Sequence, residues 1–431
     1  MELDHVAVPS HDIAASVEWY TRELGASVLY QDSTWAFLKL GQGKLALVTP
    51  TQHPPHTAVR VDEATLAAAA RKAGKSVDRH RDGTTGIYVG DPDGNQVELI
   101  CYPPGETVYD PFSGRGTTAV QAALMGRRPA ANDANPLSRM LVEPRFDPPD
   151  LEAVHARLND IDLIAAPATD AGDDLLAFYH PATLARVRAL RCYLLDRVET
   201  GLLDGMDRWI RMVALNRLTG HSPGFFSVYS LPPNQAASLV SQRRINAARG
   251  QTPPERDVTA LILRKSASLL ADGAPPPHPR ALLMTGPADA TPALADASVT
   301  LIVTSPPFLD VVDYEGDNWL RCWFAGIDPR ALRMDRHRDV AAWEAFVRRG
   351  FTEFARVTRP GGLVAFEVGE VRGGRVLLER HVAAAIVGLP FDVLGVMVNS
   401  QSFTKTANCW GVANNARGTN TNRIVLARRR G

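Results

Sequence analysis

Within its first 103 residues the chain writes one pattern twice. LDHVAVPS reads as a strand, and Asp12 can cap a helix over IAASVEWYTRELG that sets Val17, Tyr20 and Leu24 on one face and stops at Gly25. Short strands follow in ASVLYQD, WAFLKLG and KLALVTP. The second round begins with HTAVRVD as a strand and EATLAAAARKAG as a helix. It continues through SVDRHRDG, GIYVGD and, after the DPDG turn, NQVELICY. A strand-helix-strand-strand-strand unit repeated in so short a span predicts one small α+β domain over residues 1–103.

The remaining length calls for more than that domain. At 431 residues the chain exceeds the usual single-domain size, and its 45% hydrophobic and 22% charged residues suit globular units with their own cores. Lys plus Arg equals Asp plus Glu at 47 each, so no global field draws the protein to nucleic acid or membrane, and any such attraction has to be local. Cys101, Cys192, Cys322 and Cys409 lie far apart without paired spacing. That argues against a zinc knuckle or a disulfide framework and for reduced thiols in a cytoplasmic protein. MELDHVAVPS carries acids at once and lacks the apolar run of a signal peptide, and no segment reaches about 18 apolar residues, so no membrane association is expected.

The doubled unit, and above all its closing DPDGNQVELI, resembles the vicinal-oxygen-chelate family, which includes glyoxalases and extradiol dioxygenases. The resemblance implies a cup lined by metal ligands from the first strand of each unit and from the last strand. The matching positions are His5, His56 and Glu98. Two imidazoles and a carboxylate converging on one face would hold divalent iron, manganese or zinc with positions left open for substrate. Many family members have a fourth ligand in the strand that matches KLALVTP, and none is present here. The alternative is a domain that has lost its metal and binds a small-molecule ligand or a partner. His53, in QHPPH, reads as loop.

A second region opens with TVYDPFSGRGTTAVQAALMGRR. TVYD is a short strand, PFSGRG a turn whose glycines let backbone amides approach a ligand, and TTAVQAALMG a helix whose N-terminus faces that turn. The next strand, PAANDANP, carries Asp133, and a carboxylate there can accept both ribose hydroxyls of a nucleoside cofactor. Far downstream, the apolar run VTLIV ends in TSPPF, residues 304–308, where two prolines end the strand in a rigid corner.

DPFSGRGTT together with TSPPF resembles the two signature motifs of amino-group DNA methyltransferases, which use S-adenosylmethionine. The resemblance implies a class I, Rossmann-like α/β sheet over residues 104–431. It also implies a cofactor site at Asp110, Pro111, Phe112, Gly114, Gly116, Thr117 and Asp133, and a catalytic loop of Ser305, Pro306, Pro307 and Phe308. Ser305 and the Pro306 carbonyl would accept the hydrogens of a base amine while the prolines hold them still. Phe308 would stack on a base extruded from the duplex. Serine before Pro-Pro is the form more common in the cytosine N(4) branch, adenine N(6) and RNA remaining alternatives. A further alternative makes the N-terminal domain the active part, as a metal-dependent lyase or dioxygenase.

Between the two motifs lies a long excursion, residues 145–280, which the resemblance reads as a helical, target-recognising insertion. From Asp207 to Lys265 nine Lys or Arg face three acids. HSPGFFSVYSLPPNQ lies among them, with Asn234 and Gln235 suited to base edges and Arg243 and Arg244 to phosphates. Lys405 opens a second basic stretch that runs to the C-terminus without an acid. DNA is the expected partner. The family's usual cofactor-binding segment ahead of the first motif has no counterpart here, so either it is absent or another part of the chain closes the pocket.

Overall fold

The computed structural model describes the chain except residues 1, 42, 52–53, 62, 81–83, 102–105, 164–172, 232–235, 276–277, 310–313, 329–331, 333–336, 373–374 and 401–420. It divides into two compact units, Met1–Gly105 and Glu106–Gly431.

The first unit runs β1 (Glu2–Pro9), α1 (Ile13–Leu24), β2 (Ser27–Gln31), β3 (Trp35–Leu40) and β4 (Gly43–Val48), and then β5 (His56–Arg60), α2 (Glu63–Ala73), β6 (Asp78–Arg79), β7 (Thr85–Gly90) and β8 (Gln96–Cys101). Asp12 caps α1 by accepting from the Ala15 amide, and Gly25 ends it at a φ of 64°, a left-handed value that glycine adopts without strain. Ile13 and Val17 are buried, whereas Leu24, expected on that face, is 54% exposed at the helix end. Among its described residues, SVDRHRDG supplies the two-residue β6.

All eight strands form one sheet in the order β2-β3-β4-β1-β5-β8-β7-β6. β1 pairs β4 and β5 pairs β8, both parallel, and the two halves join where β1 meets β5 antiparallel. Side chains alternate across a strand, so each strand serves two faces. Val8, Leu38 and Leu47 pack with α1, and Val59, Ile87 and Leu99 pack with α2. His5, Ala7, Ala46 and Ala58 belong to the face away from the helices.

In the second unit β9 (Thr107–Asp110), α3 (Thr117–Leu124), β10 (Arg128–Asp133) and α4 (Leu137–Val142) lead into a helical section of α5 (Leu151–Asp160), α6 (Pro181–Glu199), α7 (Gly205–Leu215), α8 (Leu239–Arg249) and α9 (Val258–Leu270). β11 (Leu282–Thr285), β12 (Val299–Thr304), α10 (Tyr314–Ala325), α11 (Val340–Val357) and β13 (Thr358–Val368) follow. The unit ends with β14 (Glu370–Val371), β15 (Val376–Leu377), α12 (Leu378–Ala385), β16 (Phe391–Ser400) and β17 (Thr421–Arg429).

Seven of these strands form an open sheet in the order β11-β10-β9-β12-β13-β17-β16. β9 to β13 are parallel, and β17 alone runs against its neighbours. Ala130 and Ala131, adjacent in β10, point to opposite faces. Ala130 joins the core with Phe346, Phe351 and Val382 of α11 and α12, and Ala131 packs with Ala119 of α3, so helices cover both sides. The helical section has its own core, built on Leu190, Trp209, Met212 and Ile262 with Phe324 of α10. Within it the buried Asp207 accepts from Arg197 at 2.8 Å and Tyr193 at 3.1 Å.

Candidate metal centre and candidate cofactor site

Register alone brings the first group together. His5 on β1 stands opposite Ala58 on β5, Ala58 opposite Glu98 on β8, and Glu98 opposite Tyr88 on β7, so the four occupy one row across the sheet. Ala58 is fully buried and short, which leaves room above it, and His56 lies two residues along the same strand on the same face. The longer side chains therefore converge over Ala58. His56 Nε2 lies 3.2 Å and His5 Nε2 4.0 Å from Glu98 Oε2, and one ligand atom from each of the three residues lies within 4.8 Å of the other two.

Each imidazole is held through its far nitrogen. His5 Nδ1 bonds the Asp4 carboxylate at 2.8 Å, and His56 Nδ1 bonds the Pro54 carbonyl at 2.7 Å. With Nδ1 protonated, Nε2 offers a lone pair to the centre, the arrangement that orients metal-ligating histidines. His56 Nε2 is buried and, despite its proximity to Glu98, makes no hydrogen bond of acceptable geometry. Burial lowers the His56 pKa, but the Glu98 carboxylate and the Pro54 carbonyl outweigh it and hold it above the ordinary value. A buried imidazole nitrogen aimed at a carboxylate without a bond to it fits a divalent cation. On this face β4 presents Lys44, Ala46 and Val48, none of them a usual ligand, and Lys44 instead reaches Asp4 at 3.3 Å.

Sequence reasoning missed His80. Its Nε2 lies 3.5 Å from the other Glu98 oxygen, and its Nδ1 is 2.9 Å from the Thr84 hydroxyl. Gly86 makes this approach available, because a Cβ there would stand 3.1 Å from both Glu98 Oε1 and His80 Cε1. A glycine on β7, diagonal to Glu98 across the hairpin, was the available signal.

Residues 2–99 match the family model of the Glyoxalase/Bleomycin resistance protein/Dioxygenase superfamily. Those residues form a glyoxalase-superfamily domain. Among solved structures, the chain is similar to a Streptomyces coelicolor methylmalonyl-CoA epimerase in complex with 2-nitronate-propionyl-CoA. The identity is 23% over 24% of this chain and 97% of that one, with a TM-score of 0.20. A glyoxalase/bleomycin resistance protein/dioxygenase superfamily member from Vibrio splendidus is 17% identical over 22% and 96%, with a TM-score of 0.19. An Agrobacterium tumefaciens lactoylglutathione lyase is 20% identical over 23% and 92%, with a TM-score of 0.12. No curated protein matches the chain.

Beyond the glyoxalase-superfamily domain, the second group forms at the C-terminal ends of β9, β10 and β12. The chain leaves β9 for β10 and β11 on one side and then crosses to β12 on the other. In an open parallel sheet that reversal of direction opens a crevice suited to a ligand. Asp110 and Thr304 end the two strands that flank it, and the Thr304 hydroxyl donates to Asp110 Oδ1 at 2.6 Å. Asp110 is 5% exposed, and burial pushes its pKa up to about 6 against the bonds from Thr304 and the Phe112 amide. It therefore acts as a strut between the two loops as much as a wall of the crevice.

The turn from Pro111 to Gly116 is fixed by the Ser113 amide donating to the Asn132 carbonyl at 2.9 Å and the Gly116 amide to the Ser113 carbonyl at 2.7 Å. Gly114 has a φ of 51° with open space where a Cβ would be. Gly116 has a φ of 77°, and a Cβ there would strike Val142 at 2.3 Å. Open space beyond Gly114 adjoins the start of α3 at Thr117. Asp133 closes the side: its oxygens accept from the Gly114 and Asn135 amides at 2.7 and 2.8 Å, each keeping a further lone pair. Burial raises its pKa.

Ser305 is exposed and Pro306 buried, and the Pro307 carbonyl accepts from Trp343 Nε1 at 2.9 Å, which pins the loop to α11. Phe308 and Phe112 pack against the sheet core at its edge.

The stretch FFSVYS, open to reading as a nucleic-acid surface or as core, is core. Phe225, Phe226 and Val228 are core, and Gly220 has to be glycine because a Cβ would meet the Phe225 ring at 2.4 Å. Arg243 is paired with Asp174 at the surface and Arg244 is exposed, while Asn234, Gln235 and Lys405 lie outside the described residues. No helix among the described residues is long and apolar enough to cross a membrane.

Proposed function

We propose that residues 106–431 transfer a methyl group from S-adenosylmethionine to an exocyclic amine of a nucleic-acid base, with cytosine N(4) in DNA as the target. One observation carries the reading. DPFSGRGTT and TSPPF, 194 residues apart at Asp110 and Thr304, are joined by a hydrogen bond at the point where the strand order reverses. The order of β9 to β13 agrees with a doubly wound sheet, and the reversed β17 beside the edge agrees with the class I sheet the motifs imply.

Bound cofactor would supply the electrophilic methyl carbon. The chain's own residues do the rest: the turn at Gly114 and Asp133 hold the cofactor, while Ser305 and the Pro306 carbonyl orient the amine and accept its hydrogens. Trp343 keeps the loop from moving away. Removing one positioned acceptor costs a few kcal/mol, so Ser305→Ala should slow transfer roughly a hundredfold or more. Cofactor affinity should change little. Nucleosides from treated DNA, analysed by mass spectrometry, give the product directly. N(4)-methylcytosine is expected, N(6)-methyladenine would move the target, and 5-methylcytosine or full turnover by Ser305→Ala would sink the reading.

A second activity is supported by the buried, unbonded His56 Nε2. The family match over residues 2–99 favours this reading, while the first is argued from motifs and geometry. Here the glyoxalase-superfamily domain binds a divalent iron, manganese or zinc ion through His5, His56 and Glu98. A bound ion would polarise a substrate oxygen. Asp4 and Pro54 hold the imidazoles in place, and His80 stands beside Glu98. Purified protein should carry close to one equivalent of metal, lost in His56→Ala and retained in His53→Ala. Protein that stays metal-free after reconstitution with all three ions would refute it.

A further inference from the structure

Several cations gather around the Pro111–Gly116 turn. Arg115 belongs to the turn itself, and Arg145, following α4, donates to the Arg115 carbonyl at 3.4 Å. Arg217, beyond the end of α7, lies with its guanidinium 4.2 Å over the Phe225 ring. Arg264 on α9 comes to the same place: Arg217 Nη1 and Arg264 Nη2 stand 3.9 and 4.0 Å from the position a Gly224 Cβ would take. Lys265 follows on that helix. Among the described residues no carboxylate pairs with Arg145, Arg217, Arg264 or Lys265.

Their mutual repulsion bears on their proton affinities. Burial and the Arg115 charge lower the pKa of Arg145, and burial, Arg115 and Arg264 lower that of Arg217. Burial, Arg217 and Arg145 lower that of Lys265. Five cations drawn from the turn, α9 and the segments after α4 and α7 repel one another, and Arg145, Arg217 and Lys265 are half-buried, where less water screens the repulsion. Such an arrangement costs folding stability unless something anionic occupies it.

We propose that Arg115, Arg145, Arg217, Arg264 and Lys265 form a basin that takes the sugar–phosphate backbone of DNA beside the TSPPF loop. The proposal rests on the nucleic-acid reading of residues 106–431 and replaces Arg243 and Arg244 as the phosphate contacts. Several spaced cations around one turn suit a chain of phosphates, because each neutralised phosphate releases counterions and so adds to affinity. Forked guanidiniums at Arg145, Arg217 and Arg264 suit the tetrahedral oxygens.

The test is fluorescence anisotropy of the full chain with a labelled mixed-sequence duplex, titrated at several salt concentrations without cofactor. Wild type should bind with a steep salt dependence. The surface pair Arg264→Gln/Lys265→Gln should lower the slope of log K against log salt by roughly 1 per residue, hence roughly 2. Arg217→Lys should keep the slope, since the charge remains, and Arg243→Gln should change nothing. An unaltered slope in the double variant with its melting temperature retained, or no duplex binding by wild type at low salt, overturns the basin. Methyl transfer is scored separately. Slope loss without any methylated product leaves the basin standing and removes the methyltransferase reading. Methylated product with an unaltered slope does the reverse.

Discussion

Asp110 is a residue whose burial works against the fold. Its carboxyl accepts from Thr304 and the Phe112 amide through one oxygen, and burial pushes its pKa up to about 6 from an ordinary 3.8. A native state with the higher pKa binds more protons than the unfolded chain between those values. Stability conferred by the neutral form is therefore present below about pH 4, falls as pH rises toward 6, and stays low above. Two pKa units correspond to about 3 kcal/mol. Asp110→Asn keeps the oxygen that Thr304 and Phe112 use, so the variant should melt several degrees higher than wild type at pH 8 and close to it at pH 4. Calorimetry at the two pH values measures this directly, and a variant less stable than wild type at pH 8 would show that the charge is compensated. A stability gain at a residue placed in the crevice is what a functional carboxylate should give.

At the scale of elements, what the sequence made legible was whatever local chemistry determines. α1 could be bounded because Asp12 caps it and Gly25 stops it. The row His5, Ala58, Glu98 could be anticipated in part, since strand alternation and the doubled unit align first and last strands. The turn at Gly114 and Gly116 announced itself through residues needed for positive φ. The rest depended on partners distant in the chain. Leu24 satisfies the helical spacing yet finds nothing to cover it. FFSVYS reads equally as a reading surface or a core segment until Gly220 and the Arg217 chain close on Phe225. α12 was not anticipated, its burial of Leu378 and Val382 being decided by α11 and the sheet. His80 joins Glu98 only through the β7–β8 hairpin. Arg115 and Arg145 lie 30 residues apart and Arg264 far downstream of both, so their common charge had no signature in any single stretch.

At the scale of the whole molecule, the two units keep separate cores: Leu38, Leu47, Leu66 and Ile87 in one, and the Trp209 and Phe351 clusters in the other. A ligand stabilises the state it binds by RT ln(1 + [L]/Kd), about 2.7 kcal/mol at a hundredfold excess over Kd. Ligands of separate units should then act on separate transitions. Scanning calorimetry of the full chain should show two endotherms, since the units differ in size and core. Divalent metal should raise one of them, and His56→Ala should abolish that shift. S-adenosylmethionine should raise the other, and Asp133→Ala should abolish it because the ribose acceptors are lost. The crossed measurements carry the weight, with metal leaving the second endotherm in place and cofactor leaving the first. A single transition that both ligands raise together would mean that the units unfold as one body and that the two sites are energetically linked. An S-adenosylmethionine shift that survives Asp133→Ala would place the cofactor somewhere other than the crevice between β9 and β12.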